Sequence, residues 1–340
     1  MFEKIALIGT VACAALCAQA TPPVSLLALS KADRTLAIVD PATLKVIARM
    51  PSGPDPHETV ASADGRTAYI SNYGGGAYNT LGVIDLVGQK ALPSIDLGAL
   101  RAPHGLQFAG GKVWFTAEAA KAFGSYDPAT MKIDFILGTG QNRTHMLFLT
   151  EDLKRIVTSN VSSATMTIIE KTAGGRGGPP PGRGPGRGPQ SDWDETVVPV
   201  GRGAEGFDVS PDGKEIWAAN AQDGTISILD FAGKKVIATL NANVAGANRL
   251  KFTPDGKLVF VSLLSGPDVV ILDAATRRER KRVRIGHGAA GILMQPDGSR
   301  AFVGCTPDDY VAIIDLKSLE VTGHIDVGKQ PDGLAWAVRR

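Results

Sequence analysis

Short segments in which hydrophobic and polar residues alternate recur along the whole chain. Examples are TAYISN from Thr67, KVWFTA from Lys112, EIWAAN from Glu215 and LVFVSL from Leu258. Many of their residues are β-branched or aromatic, and alternation with a period of two is typical of half-buried β-strands. The pattern therefore predicts an all-β protein built from many short strands.

Two markers repeat together with these strands. The first is an acidic residue that ends an apolar strand before a turn, and it occurs at Asp40, Asp85, Asp127, Glu170, Asp230, Asp273 and Asp315. The second is a turn of the type Ser-Pro-Asp-Gly, which begins at Ser62, Ser210, Thr253 and Gln295. Proline presets φ and glycine tolerates positive φ, so the second marker has the chemistry of a tight turn. The markers define a repeat of about forty residues.

Each repeat has room for four short strands, and four strands in about forty residues are one propeller blade. The N-terminal part supplies SLLALS, TLAIVD and KVIARM but no preceding inner strand, whereas the C-terminus supplies the unpaired strand PDGLAWAV. Joined, these segments complete a blade, and closure of the ring removes free sheet edges. The sequence thus predicts a seven-bladed β-propeller in which residues 21–340 form one domain.

The first twenty residues have the pattern of a signal peptide. Lys4 precedes an apolar run from Ile5 to Cys17, and Ala18-Gln19-Ala20 resembles a cleavage site, so the mature chain should begin near Thr21. The run is too short to span a bilayer. We therefore expect a periplasmic or secreted protein without a transmembrane segment. Cys305 is then its only cysteine, either a reactive or metal-binding thiol or a small buried apolar residue.

Composition and charge narrow the range of partners. The 340 residues carry a formal net charge of +2, and a nucleic-acid-binding face would need concentrated basic charge. We expect a monomer without a specific nucleic-acid partner. Residues 173–191 are rich in glycine and proline and contain Arg176, Arg183 and Arg187. This insertion is interpreted as a disordered surface loop between the third and outer strands of blade 4, or as a cationic tether to an anionic polymer.

Equivalent positions at the start of the inner strands predict a functional site. In blades 2, 3 and 4 this position is occupied by His57, His104 and His145, although the whole chain has only five histidines. The other four blades have Glu205, Asn248, Ala290 and Asp332 there. Because inner strands line the central channel of a propeller, these side chains should ring one mouth of it. The residues expected in a circle around them, at the ends of second strands, are Asn72, Glu118, Asn160, Asn220 and Cys305.

The histidine-rich mouth is compatible with several uses. Neutral imidazoles with a carboxylate can hold Zn²⁺ or Cu²⁺, which makes His57, His104, His145 and Glu205 the candidate metal ligands. Alternatively, the mouth binds a small polar or anionic ligand. The candidates for that role are Asn72, Glu118, Asn160, Asn220, Asn248 and Asp332. Two simpler explanations also stand: copies of one ancestral turn residue, or polar residues that merely face a wet channel. His287 and His324 are expected at the surface.

The best-formed repeat resembles a known family. Ala204 to Leu240 read AEGFDVSPDGKEIWAANAQDGTISILDFAGKKVIATL, which is similar to the repeat of the YVTN β-propeller family. The resemblance covers nearly all of the chain after residue 20. It implies the propeller fold, but the family includes cell-surface proteins, periplasmic proteins of unassigned role and, more distantly, cofactor-bearing dehydrogenase subunits and lactonases. Fold analogy does not choose among these functions.

Three hypotheses about function follow. The leading one is an exported binding module whose mouth holds a divalent metal ion or a small polar ligand. The alternative is a metal-dependent hydrolase or lyase at the same mouth, similar to propeller lactonases. The third is a scaffold that interacts with the cell envelope. No G-x-S-x-G, H-E-x-x-H, P-loop or CxxC motif supplies a catalytic assignment.

Overall fold

The computed structural model describes residues 19–172 and 192–340. These residues form 28 strands, arranged as seven antiparallel sheets of four strands each. In six of the sheets the chain runs from the inner strand to the outer one, and in the remaining sheet the C-terminal strand supplies the inner position. The all-β prediction and the blade count are therefore confirmed.

The strands of the first four blades follow the chain. Blade 1 consists of β28 (Pro331–Val338), β1 (Val24–Ser30), β2 (Thr35–Asp40) and β3 (Lys45–Pro51). Blade 2 consists of β4 (Pro56–Ala61), β5 (Thr67–Asn72), β6 (Thr80–Asp85) and β7 (Lys90–Asp96). Blade 3 consists of β8 (Pro103–Ala109), β9 (Lys112–Ala117), β10 (Ala122–Asp127) and β11 (Lys132–Gly138). Blade 4 consists of β12 (Thr144–Leu149), β13 (Arg155–Asn160), β14 (Thr165–Thr172) and β15 (Asp192–Pro199).

The remaining blades repeat this order. Blade 5 consists of β16 (Ala204–Val209), β17 (Glu215–Asn220), β18 (Thr225–Asp230) and β19 (Lys235–Asn241). Blade 6 consists of β20 (Ala247–Phe252), β21 (Leu258–Leu263), β22 (Asp268–Asp273) and β23 (Arg278–Arg284). Blade 7 consists of β24 (Ala289–Met294), β25 (Arg300–Cys305), β26 (Tyr310–Asp315) and β27 (Glu320–Ile325). Three short 3₁₀ turns lie at Gly74–Gly76, Glu118–Ala120 and Thr306–Asp308.

The ring closes through blade 1, as the two ends of the sequence predicted. The C-terminal strand β28 pairs with β1 in antiparallel register, with Val24 opposite Val338 and Leu27 opposite Ala335. Hydrogen bonding between the two ends of the chain therefore holds the first and last blades together. This closure protects both edges that a linear array would leave exposed.

The hydrophobic core lies between the blades. Successive residues of a strand point to opposite faces of its sheet, so one strand serves two interfaces. In β1, Leu26 and Ala28 pack with blade 7, whereas Leu27 and Leu29 pack with blade 2. Within the described chain, each of the seven blade interfaces has one such cluster. The alternation in the sequence thus encodes burial on both faces of each blade.

The two repeated markers have structural roles. The Asp40 carboxylate accepts a hydrogen bond from the Ala42 backbone amide at 2.9 Å, which closes the turn after the third strand. In the other marker, the Ser210 hydroxyl donates to Asp212 at 2.7 Å, and Asp212 also accepts the Lys214 amide at 3.1 Å. Short side chains that bond nearby backbone are typical turn formers. The marker acids therefore stabilise turns, and the functional site has to be sought elsewhere.

Two sequence predictions fall largely on residues outside the described part. The signal-peptide prediction concerns residues 1–20, of which the structure describes only the last two. The insertion 173–191 also lies outside, but the strands that flank it are β14 and β15, the third and outer strands of blade 4, as expected. Among the residues that are described, no helix is long and apolar enough to cross a membrane.

Candidate functional site

Seven equivalent side chains meet at one end of the central channel. Each is the second residue of an inner strand, and they are His57, His104, His145, Glu205, Asn248, Ala290 and Asp332. The loops that follow the second strands lie at the same end, because the first two strands of each blade are antiparallel. We refer to the channel end formed by these residues as the mouth.

The three imidazoles contact one another in the order of their blades. The ring centroids of His57 and His104 are 5.0 Å apart, and those of His104 and His145 are 3.8 Å apart. Tyr73, which follows β5, lies against both His57 and His104 at 4.8 and 5.2 Å. Repeat position therefore brought these histidines to one place, as predicted, with His104 in the middle.

His145 is enclosed by two carboxylates. Its Nδ1 lies 2.5 Å from Glu118 Oε1, and its Nε2 lies 3.0 Å from Glu205 Oε1. The second contact is an ion pair that is not aligned as a hydrogen bond, so Nε2 has no hydrogen-bond partner. Burial opposes a charge on the ring, but Glu205 and Glu118 outweigh it and raise the pKa of His145. The two carboxylates therefore favour the protonated, cationic form of His145.

Arg143 and Tyr73 complete the surroundings of His145. The Arg143 guanidinium lies 3.5 Å from Glu118 and 3.4 Å from Glu205, and the Tyr73 hydroxyl donates to Glu118 at 2.7 Å. Although burial would raise it, the pKa of Glu205 is lowered to about 2 by His145 and Arg143. Burial likewise opposes the charge on Glu118, but His145, Tyr73 and Arg143 lower its pKa, so both carboxylates remain ionised at neutral pH.

His57 is held in a similar way from the other side. Its Nε2 is 3.2 Å from Asp55 Oδ2, and its Nδ1 is 3.6 Å from Asp332 Oδ2. Lys31 lies 3.3 Å from the same Asp332 oxygen. The hydrogen bond to His57 is the main reason that the pKa of Asp55 is lowered to about 2.

His104 differs from its two neighbours. It is 3% exposed, and its Nδ1 has no hydrogen-bond partner among the described residues. Burial, together with the charges of His145 and His57, holds the pKa of His104 well below its usual value. A neutral imidazole therefore lies against one whose cationic form is favoured, with the two ring planes tilted by 38°. Two imidazoles with opposite protonation states are suited to act as a base and an acid.

A buried ion pair forms the floor of the mouth. Arg249 of blade 6 is 5% exposed and reaches across the channel to Glu58 of blade 2, to which both its Nε (3.1 Å) and its Nη2 donate. Glycines occupy the same level in other blades: a Cβ on Gly105 would lie 2.8 Å from Met146 Cα, and one on Gly206 would lie 2.6 Å from Arg249 Cα. The inner strands approach closely here, so the ion pair spans a narrow waist.

The asparagines predicted to surround the mouth lie where expected but point into their own blades. Asn160 accepts from Thr144 at 3.0 Å and donates to Thr165 and Thr167 at 3.1 and 2.8 Å. Asn220 donates in the same manner to Thr225 and Ser227 of β18. Asn72 is also fully buried beside Thr80. Glu118 and Asp332 join the imidazole cluster, whereas a ligand-binding role for these three asparagines stays a prediction.

The metal prediction can be compared with this geometry. Within residues 19–172 and 192–340, no group of three or more His, Cys, Asp or Glu side chains is arranged so that it could hold a metal ion. The three imidazoles contact one another at tilted or edge-on angles, and His57 and His145 pair with carboxylates. Metal binding by His57, His104, His145 and Glu205 stays a prediction, which metal analysis of the purified protein tests. Cys305 is fully buried, and burial raises the pKa of its thiol to about 12.

Several residues of the site were not selected from the sequence. Asp55 and Arg143 each lie two residues before a mouth histidine, and Glu58 and Arg249 each follow a mouth residue directly. Their closeness in sequence to the predicted mouth residues was the one feature that could have identified them. What the repeat could not show is which way each side chain points. Asn248, by contrast, was predicted, and its Oδ1 is buried without a partner in the described structure.

The fold and its mouth define the class of protein, a seven-bladed β-propeller, and solved structures of similar architecture exist. A protein of unknown function from Desulfotomaculum acetoxidans has a TM-score of 0.72 at 14% identity, over 92% of this chain and 98% of that one. A candidate 6-phosphogluconolactonase from Bacteroides fragilis has a TM-score of 0.72 at 15% identity, over 92% and 97%. Hydrazine synthase from Kuenenia stuttgartiensis has a TM-score of 0.67 at 17% identity, over 84% and 90%.

These comparisons support the fold and leave the activity open. Identities of 14 to 17% establish shared architecture only. No protein-family model and no curated protein matches the sequence. The function therefore has to be argued from the mouth itself.

Proposed function

We propose that the protein is a binding module whose mouth takes a small polar ligand that carries hydroxyl groups. The observation that carries this proposal is the buried imidazole cluster, in which His104 lacks a hydrogen-bond partner at Nδ1. Buried polar atoms in folded proteins almost always have partners, so such an atom at the end of a channel favours an absent ligand or water. The YVTN-type repeat, inferred from Ala204–Leu240, supports the propeller and not this choice of ligand.

The charges around the mouth indicate the chemistry of the ligand. Five carboxylates lie close to four cationic groups, and most of them are already paired. The carboxylates are Asp55, Glu58, Glu118, Glu205 and Asp332, and the cations are Lys31, Arg143, Arg249 and His145. A strongly charged ligand would disturb this balance. Hydroxyl groups both donate and accept, so they fit a mixed environment of this kind.

Binding can be tested with a defined panel and one matched pair of variants. Thermal denaturation and calorimetry would be measured with gluconate, glucose, glycerol and inorganic phosphate as probes. We expect a hydroxylated probe to raise the melting temperature of the wild-type protein and of His324→Ala, whose histidine is exposed on the outer strand β27. His104→Ala should lose that stabilisation. The proposal is wrong if folded His104→Ala binds the same probe with unchanged affinity.

A second candidate function is acid–base catalysis at the same mouth, as in a lactone or ester hydrolase. The contact between neutral His104 and cationic His145 favours it, because it places a base beside an acid. Two of the similar structures are described as candidate 6-phosphogluconolactonases. The test is a panel of lactones and esters, assayed with and without a chelator and accompanied by metal analysis. Turnover abolished in His104→Ala but unaffected by chelator would support a metal-free hydrolase. Turnover lost on chelation would support the metal prediction.

A further inference from the structure

A cavity opens on the far side of the Glu58–Arg249 pair. It has a volume of about 430 Å³ and is lined by the later residues of the inner strands. None of the histidines of the mouth lines it. The ion pair thus divides the channel into the mouth and this cavity, which we call the chamber.

The walls of the chamber are mainly apolar and aromatic. Its aromatic lining residues are Phe108, Phe148, Phe207 and Trp336, and leucines and an isoleucine lie between them. A concave, largely apolar space of several hundred Å³ with a few polar groups is typical of a small-molecule site. The chamber is therefore more apolar than the mouth, from which the ion pair separates it.

The charged residues that line the chamber are paired with one another. Lys251 lies 3.2 Å from Asp208, which also accepts the Phe252 backbone amide at 2.9 Å, and Arg249 is paired with Glu58. A charged ligand would have to break one of these pairs and leave a partly buried charge uncompensated. An uncharged ligand avoids this cost.

One polar group at the chamber has no partner. Thr59 lines the chamber, is 3% exposed, and its hydroxyl makes no hydrogen bond with the described residues. An unpaired buried hydroxyl is unfavourable for the empty protein. Rotation of the Thr59 side chain would turn the hydroxyl toward a molecule in the chamber, where it could donate or accept.

We propose that the chamber is a second binding site, which takes an uncharged amphipathic molecule with a flat apolar body and one hydrogen-bonding head group. The aromatic walls contact the body, and Thr59 meets the head group. This site is independent of the ligand proposed for the mouth.

Trp336 provides a direct readout. Its indole Nε1 donates to the Met294 carbonyl at 2.8 Å, so its ¹H–¹⁵N indole signal is anchored and can be identified by Trp336→Phe. Titration of the full protein with 2-naphthol should shift this signal saturably. The proposal is overturned if no shift occurs up to the solubility limit of the probe. It is also overturned if only the signals of Trp114 and Trp193 shift, since these line a separate cleft between blades 3 and 4.

Ligand charge and position give matched controls. Naphthalene-2-carboxylate, which has the same ring system and a negative charge, should bind at least about tenfold more weakly than 2-naphthol. Leu293→Glu places a charge in the chamber lining and should abolish the Trp336 shift, whereas Leu264→Glu on the exposed surface should leave it unchanged. Equal binding of both naphthalenes, or unaltered binding to folded Leu293→Glu, refutes the proposal.

A conservative variant covers the case in which Leu293→Glu does not fold. Thr59→Val keeps the side-chain shape and removes the unpaired hydroxyl, so it should fold at least as stably as the wild type. It should weaken 2-naphthol binding by about three- to tenfold and leave naphthalene binding unchanged. If Thr59→Val weakens the binding of both probes equally, or of neither, the proposed contact between Thr59 and the head group is wrong.

Discussion

The ion pair between Arg249 and Glu58 allows a quantitative test of the channel interior. Arg249→Met preserves much of the apolar volume of the side chain but removes the charge that faces Glu58. The two residues are 191 positions apart and come from blades 6 and 2, so no local element restores the contact. Because the Glu58 side chain is only 14% exposed, the carboxylate that remains would be deprived of both its partner and most of its water.

The expected loss of stability can be bounded. Removal of one partner from a buried pair typically costs about 3–5 kcal/mol. The protein can limit this loss by taking up a proton on the remaining carboxylate. For an ordinary glutamate, that uptake costs about 4 kcal/mol at pH 7 and about 1 kcal/mol at pH 5. We therefore expect Arg249→Met to reduce the free energy of unfolding by about 3–4 kcal/mol at pH 7, and by much less at pH 5.

The sign of this pH dependence follows from linkage. In the variant, the folded state favours the protonated carboxyl more than the unfolded state does, so protonation stabilises the fold and its benefit is lost as the pH rises. Urea or guanidinium unfolding at pH 5, 6 and 7 measures the difference. The double variant Arg249→Met with Glu58→Gln removes the stranded charge and should recover a large part of the loss. A cost below about 1 kcal/mol at pH 7, or a cost independent of pH, would refute the account of the channel floor.

Three further predictions concern the mouth, the waist and the thiol of Cys305. The lowered pKa of Glu205, about 2, contributes stability above its unfolded pKa that is lost as the pH falls through the folded value, so Glu205→Gln should flatten the stability profile between pH 5 and 2 in calorimetric scans. Gly333→Ala would place a Cβ 2.9 Å from Glu58 Cα and should destabilise the protein by about 2–4 kcal/mol in denaturant unfolding. The control Gly323→Ala meets only an ordinary contact at 3.7 Å and should cost less than about 1 kcal/mol. Because burial raises the pKa of Cys305 to about 12, its thiol should resist a disulfide reagent in the native protein at pH 8 and react fully once unfolded; rapid native reaction would contradict its burial.

The architecture could be predicted in detail because it depends on repetition. Turn chemistry at positions such as Ser210 and Asp212 recurs in most blades, and alternation within a strand such as β1 encodes burial against both neighbouring blades. Closure by β28 followed from two incomplete ends. The turns and the alternation are local in sequence, and their regular repetition specifies the ring.

The site was predictable in position but not in pairing. His57, His104 and His145 share one place in the repeat, so a ring had to bring them to one mouth. The contacts of Arg249 with Glu58 and of His145 with Glu118 join different blades, and they depend on side-chain rotamers that no repeat specifies. Asn160 is a further example: its position at the end of a second strand was predicted correctly, but its amide points into the blade.

Equivalent positions in the ring have acquired different chemistry because their neighbours differ. His145 has two carboxylates within 3.0 Å that favour its cationic form, whereas His104, one blade away, has no carboxylate partner among the described residues and is held neutral by burial and by the charge of His145. If all three histidines were unused copies of one ancestral residue, selection would not maintain an unpaired imidazole between two that are paired with carboxylates. The energetic cost of that arrangement falls on the folded protein, and a ligand that offers His104 a partner would remove it. The contrast between the histidines, more than their number, is therefore what argues for a functional mouth.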